Sequence, residues 1–274
     1  MNFAKALGTL GGAGPVLCVG LDPHPEILSL WGCSDSPAGL SDFVQHIVPL
    51  LVASPVALVK PQVALFERHG VRGMSVLANL LGRLRQASIL TIGDAKRGDI
   101  GSTMAGYAEA WLIPGADFEV DALTVSPYLG VGALLPALDL ALENGKGAFV
   151  LAATSNPEGQ GLQSARTAAG PSVAGSVHAA LAEYSRKNPA AASSHGVVVG
   201  ATVDWSARGV DLLSTPGMPV LVPGFGAQGV DLAQCRSLFP GLDLVLPVSA
   251  RELLNSGREG FLERIEMAHR EALT

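Results

Sequence analysis

The stretch Gly93-Asp94-Ala95-Lys96-Arg97-Gly98-Asp99-Ile100-Gly101-Ser102-Thr103 sets Asp94, Lys96 and Asp99, charges of alternating sign, within one short run. An apolar run, Ala87 to Ile92, precedes it and reads as a strand. In an extended strand side chains two apart share a face, so Asp94 and Lys96 point the same way and Ala95 the other. Gly98 marks a turn, and Asp99 opens a helix on which Asp99 and Thr103, four apart, share a face. A carboxylate and an ammonium side by side are costly to desolvate unless paired. Such a pair can hold a protonated amine where negative charge develops. A lone Asp-x-Lys reads equally well as a surface ion pair followed by a helix-capping Asp, so its surroundings decide.

A second cluster lies near the end of the chain. Pro223-Gly-Phe-Gly-Ala-Gln228-Gly229 precedes a helix, and Arg251 follows the next apolar run. Glycines let backbone N–H groups approach an anion, and an arginine can grip two phosphate oxygens. The plain alternative is a glycine-rich turn with a surface arginine.

The elements that must carry these residues can be read in order. Apolar strands are expected at Val16–Leu21, Val56–Val59, Ala87–Ile92, Phe118–Val125, Ala148–Ala152, Gly196–Gly200, Pro219–Val222 and Leu242–Val248. Helical spacing marks Ala38–Val52, Val71–Arg85, Thr103–Leu112, Val131–Glu143, Val173–Lys187 and Gly260–Ala272, with further helices near Ser206–Leu213 and Asp231–Phe239. Glu158 to Gly170 reads as a long loop, of the kind that serves as a lid. Continuous Val/Ile/Leu strands are buried on both faces. Strict alternation of strand and helix over 274 residues predicts a single-domain (β/α)8 TIM barrel spanning residues 1–274. A doubly wound open sheet is the runner-up, but no G-x-G-x-x-G follows the first strand. Asp22, Lys60, Asp94, Lys96, Ser155, Gln228 and Arg251 all stand just after strands. A barrel gathers those ends on one face, where barrel active sites are built. Strands two and three are neighbours there, so Lys60, Asp94 and Lys96 form an alternating network in which each charge supports the next.

Composition narrows the classes. Apolar residues make up 48% and charged ones only 15%, which suits a large core and argues against disorder. Net charge is −6 with no basic stripe, so nucleic acid is not an expected partner. No apolar run is long enough to cross a bilayer, no signal-peptide core precedes Leu10, and a membrane partner is not expected. Three widely spaced cysteines point to a reducing, cytoplasmic setting and fit no metal spacing. Cys18 reads as a core residue. The six histidines have no metal or triad spacing and read as surface or helix-end residues.

Asp94-Ala-Lys96-Arg-Gly-Asp99-Ile100-Gly-Ser-Thr103 resembles the D-x-K-x-x-D-I-x-x-T signature of the orotidine 5′-phosphate decarboxylase family, in its longer bacterial branch. Leu21-Asp22, Val59-Lys60-Pro61, Ser155-Asn-Pro157, Pro223 to Gly229 and Arg251 match in family order across nearly the whole chain. The resemblance implies a homodimeric barrel with active sites at the subunit interface. It implies a carboxy-lyase that converts orotidine 5′-phosphate to UMP and CO₂, the last step of UMP biosynthesis, without cofactor or metal. By resemblance Lys96 protonates C6, and Asp94 sits against the substrate carboxylate. Lys60, Asp94, Lys96 and the partner's Asp99 form the charged network. Asp22 and Lys60 hold one ribose hydroxyl, and the partner's Asp99 and Thr103 hold the other. Ile100 lines the partner's part of the pocket, Ser155 binds the pyrimidine edge, Pro223 packs nearby, and Gln228 and Arg251 grip the phosphate.

Rival readings remain open at this point. A related barrel lyase acts on sugar phosphates with Mg²⁺ and shares D-x-K-x-x-D but not I-x-x-T. A non-catalytic phosphate-binding barrel would not need so costly a charge arrangement. A Schiff-base aldolase wants a lysine in apolar surroundings, whereas Lys96 has Asp94 and Asp99 close by in sequence.

Overall fold

The computed structural model describes residues 2–12 and 14–274. Its first four strands are Cys18–Leu21 (β1), Leu58–Pro61 (β2), Leu90–Arg97 (β3) and Ala122–Val125 (β4). The others are Gly147–Ala153 (β5), His195–Val199 (β6), Val220–Phe225 (β7) and Val245–Ser249 (β8). Each pairs in parallel with the next, and β1 also pairs with β8, so the sheet closes in sequence order. The molecule is therefore the (β/α)8 barrel that the strand-helix alternation predicts.

The helices begin with Phe3–Gly11 (α1), Pro25–Leu30 (α2), Pro37–Ala53 (α3), Ala64–Glu67 (α4), Gly70–Gln86 (α5) and Gly101–Leu112 (α6). They continue with Leu135–Glu143 (α7), Pro157–Ser164 (α8), Val173–Lys187 (α9), Cys235–Leu238 (α10), Arg251–Leu254 (α11) and Gly257–Leu273 (α12). The outer face of the sheet packs on them in one continuous apolar layer, in which Trp31 meets Phe43 and Phe261 edge-on at 5.1 Å.

A second apolar cluster fills the barrel: Cys18, Leu58, Ile92, Phe149, Leu221 and Leu246 among others, with Phe3 and Leu7 of α1. The Phe3 N–H donates to the carbonyl of Gly145, just before β5, and its ring packs edge-on to Phe149. α1 thus plugs the end where the strands begin. The polar residues are left to the opposite end, where the strands finish. Cys18 is in the core as expected; burial pushes its thiol up to about 12, so it stays protonated and inert.

Some elements differ from the sequence reading. Residues 157–164 form α8 rather than loop; Pro157 starts the helix, and none of its side chains is buried, so no apolar period betrays it. Residues 206–209 are turn, with Gly209 at φ 74° and Asp204 bonding the Ala207 N–H, and a 3₁₀ turn follows at Leu212–Ser214. Asp231–Phe239 is a 3₁₀ turn capped by Asp231 and Gln234, then the one-turn α10. α1, α2, α4 and α11 add to the expected helices; the last three, of six, four and four residues, are too short to show a period.

Two histidines correct the surface reading. His178 and His195 are buried. His195 opens β6, places Nε2 2.9 Å from the Leu138 carbonyl and stacks on Tyr184, whose hydroxyl donates to Asp139 at 2.6 Å. Burial lowers the pKa of His195, and the Leu138 carbonyl only partly opposes this; burial lowers His178 too. The unfolded chain therefore binds these protons more readily than the folded one. Their contribution is complete above the unfolded value near 6.5 and shrinks as pH falls from there toward the folded values. Thermal melts from pH 8 to 5 should show the melting temperature falling below about pH 6.5. His195→Asn should be less stable at pH 8 yet lose less on acidification; an unchanged slope would remove His195 as its source.

Candidate active site

The carboxyl ends of the strands open on a cleft of about 240 Å³. Asp22, Lys60, Asp94, Lys96, Pro223, Gln228 and Arg251 line it, drawn from the ends of β1, β2, β3, β7 and β8. Strand β3 runs past Ile92 to Arg97, so it carries both Asp94 and Lys96. They meet in the cleft as strand alternation predicts, but the backbone is not regular. Lys96 has φ 49°, and the β3–β4 register shifts between Gly93 and Arg97. A left-handed non-glycine residue costs about 1–3 kcal/mol and persists only where its surroundings hold it. Here the Lys96 N–H donates to Thr124 Oγ1 at 2.9 Å. On the other side, the Arg97 carbonyl accepts from the Ser126 N–H, and the Arg97 guanidinium bonds Glu67 at 2.8 Å and lies over the rings of Tyr107 and Trp111. Gly98 is required for space: a Cβ there would lie 2.5 Å from the Ser126 carbonyl oxygen.

The charges form one chain. Asp94 Oδ2 accepts from Lys60 Nζ at 2.5 Å and from Gln62 Nε2 at 3.2 Å. Asp94 Oδ1 accepts from Lys96 Nζ at 2.6 Å and from Thr124 Oγ1 at 3.0 Å. Lys60 is 4% exposed and Asp94 8%, whereas the Lys96 side chain is 46% exposed. Burial opposes the charge on Lys60, but Asp94 and then Asp22 outweigh it and hold the amine above its ordinary value. Burial likewise opposes ionisation of Asp94, but Lys60 and Lys96 hold its carboxyl well below the usual range. The network is thus an ionised buried pair with a second ammonium at its open end, facing the cleft.

Asp22 Oδ1 is buried without a hydrogen-bond partner among the described residues. Gln228 lies in the turn after β7 and donates from Nε2 to Ser155 Oγ at 3.0 Å. Ser155 itself is not among the residues lining the cleft, although its neighbour Thr154 and its partner Gln228 are. Gln163 of α8 bonds both the Thr154 N–H, at 2.9 Å, and its hydroxyl, at 2.6 Å. α8 is therefore latched to the cleft wall, although it is not the loop that the sequence suggested.

Asp99, Ile100 and Thr103 are not brought into the cleft. Asp99 precedes α6 and accepts the Ile100 N–H at 2.7 Å, so Asp99 and Thr103 do not share a helix as expected. Asp99 makes no ion pair with Lys60 or Lys96 of its own chain, Ile100 is 62% exposed, and Thr103 is exposed. Sequence reading missed Gln62, Thr124 and Thr154. Gln62 sits two residues beyond Lys60, where alternation returns a side chain to the same face. Thr124 is a lone hydroxyl in an otherwise apolar strand. Among the described residues no cluster of three or more His, Cys, Asp or Glu is placed to hold a metal ion.

A family profile described as "Orotidine 5′-phosphate decarboxylase / HUMPS family" matches residues 15–257. The chain belongs to that family. Orotidine 5′-phosphate decarboxylase of Salinispora arenicola is 51% identical over 244 residues, 88% of this chain and 85% of the relative. The enzyme of Salinispora tropica is 48% identical over 99% of this chain and 98% of its own. A crystal structure assigned to the same enzyme from Streptomyces avermitilis superposes with a TM-score of 0.90 at 43% identity, covering 98% of this chain and 94% of that one. Family members so named are carboxy-lyases, and this chain is one of them.

Proposed function

We propose that the chain, as a single barrel domain, converts orotidine 5′-phosphate to UMP and CO₂ without metal or organic cofactor, the last step of UMP synthesis. The observation that carries this is the Lys60–Asp94–Lys96 chain, buried at one end and open to the cleft at Lys96. In the reaction the bond from C6 to the carboxylate breaks, CO₂ departs and the electron pair stays on C6. The Lys96 ammonium lies where that charge forms, stabilises it and delivers a proton to C6. The amine then recovers a proton from solvent.

The other cleft residues align the substrate. Asp94, against the substrate carboxylate, favours its loss. Asp22, with its unpartnered oxygen, accepts from a ribose hydroxyl beside Lys60. Gln228 and Arg251 stand where barrels commonly bind phosphate, and Arg251 is exposed. Ser155, tied to Gln228, takes the pyrimidine edge, with Pro223 packing nearby. The phosphate grip supplies binding energy remote from the reacting carbon, which orients the ring.

The active unit is a homodimer in this reading. Ile100, Tyr107, Tyr128 and Leu129 are large exposed apolar side chains on the segments after β3 and β4, and such patches mark association surfaces. A second copy there covers them and brings Asp99 of the partner subunit to Lys96, with Thr103 to the second ribose hydroxyl and Ile100 to the pocket wall. We place the enzyme in the cytoplasm. Its three cysteines are free, and among the described residues no helix is long and apolar enough to cross a membrane.

Purified protein treated with EDTA should deplete orotidine 5′-phosphate, followed by loss of its ultraviolet absorbance, and yield UMP and CO₂ in equal amounts. A strict Mg²⁺ requirement would transfer the assignment to the sugar-phosphate lyases.

A further inference from the structure

We infer that Thr124 is a positioning residue for this reaction, its single hydroxyl coupling the backbone of Lys96 to the carboxylate of Asp94; this rests on the decarboxylase reading above. Thr124 lies in the middle of the apolar β4, is 1% exposed, and lines the cleft beneath the charged chain. Its Oγ1 accepts from the Lys96 N–H at 2.9 Å and donates to Asp94 Oδ1 at 3.0 Å. The Gly93 carbonyl, at 3.4 Å, is the longer alternative acceptor for the same proton.

A hydroxyl has one proton and two lone pairs, so it can accept from an amide while donating to a carboxylate. No apolar side chain of the same shape can do either. Two features of the site depend on it. Lys96 sits at φ 49°, a conformation the local sequence does not favour. In the register shift opposite β4, its N–H finds its partner in the Thr124 side chain, not in a regular ladder bond. Asp94 Oδ1, meanwhile, is shared by Lys96 Nζ and Thr124 Oγ1. The hydroxyl therefore fixes both ends of the Asp94–Lys96 pair: the backbone from which the lysine springs and the oxygen to which its ammonium points. Thr124 does not touch the reacting carbon in this arrangement. It acts through Lys96, by setting where the ammonium stands.

The test compares Thr124→Val, which keeps shape and removes the hydroxyl, with Thr124→Ser, which keeps the hydroxyl. Thr124→Val should lower kcat roughly 10- to 100-fold, since a hydrogen bond to a charged group and a misplaced proton donor each act on that scale. Its Kd for UMP should stay within about threefold, because the hydroxyl faces the network and not the product. Thr124→Ser should recover most of the lost kcat. Wild-type kcat in a folded Thr124→Val protein overturns the inference, as does a Thr124→Ser protein as slow as Thr124→Val. Should the Val variant not fold, amide exchange on wild type decides: the Lys96 N–H should be protected like a strand amide, and free exchange overturns the coupling. Inactivity of wild type on orotidine 5′-phosphate would overturn the functional reading instead, leaving the exchange arm to judge the geometry.

Discussion

Lys96→Ala should lose nearly all turnover while still binding product. The leaving carbon has no metal and no conjugated cofactor in this mechanism, so the ammonium is both the counter-charge and the proton source. Its removal should cost at least about 10⁴-fold in kcat, roughly 5 kcal/mol of transition-state stabilisation. The fold should survive. Alanine at φ 49° is no more strained than lysine there, and Asp94 keeps Lys60, Gln62 and Thr124 as partners. Titration with UMP should therefore give a Kd within about threefold of wild type, since the phosphate and ribose contacts are elsewhere. Single-turnover kinetics measure the first quantity and calorimetry the second. Turnover within about tenfold of wild type would remove Lys96 from the chemistry.

The second large effect tests whether each site is built by two chains. Asp99→Ala should be nearly inactive on its own, although Asp99 makes no ion pair with Lys96 in its own chain. Co-refolded or co-expressed Lys96→Ala and Asp99→Ala chains should regain activity. A mixed dimer has one site with both residues replaced and one with Lys96 from one chain and Asp99 from the other. Random pairing puts half the dimers in that state, so activity should return to about a quarter of wild type in a two-fold symmetric assembly. No recovery in dimers verified as mixed by mass spectrometry would falsify the shared site. The exposed Ile100, Tyr107, Tyr128 and Leu129 make this more than a kinetic device. If they are the buried centre of the dimer, dilution that separates the chains should silence wild type as well.

The sequence by itself determined the barrel and much of the cleft. Eight doubly buried strands alternating with helices leave few architectures, and strands that end in Asp22, Lys60, Asp94 and Arg251 must share one rim. That inference needs only periodicity and the rule that parallel strands point one way. The family signature added the roles proposed for them. Helices with a strong apolar face, such as Val173–Lys187, were legible to the residue. Those without one were not: α8 is a helix with no buried side chain.

Only the tertiary structure decided how the charges are held. The left-handed φ of Lys96, the register shift in β3 and three of the four donors around Asp94 (Lys60, Gln62 and Thr124) depend on segments 28 or more residues away in sequence; only Lys96 is local. Thr124 shows why. A lone threonine in an apolar strand is unremarkable until folding sets it beside a bulged neighbour. His195 makes the same point, since burial and the Leu138 carbonyl that define it lie on other elements. Local sequence dictates which atoms a segment offers, whereas packing across the barrel dictates which of them meet.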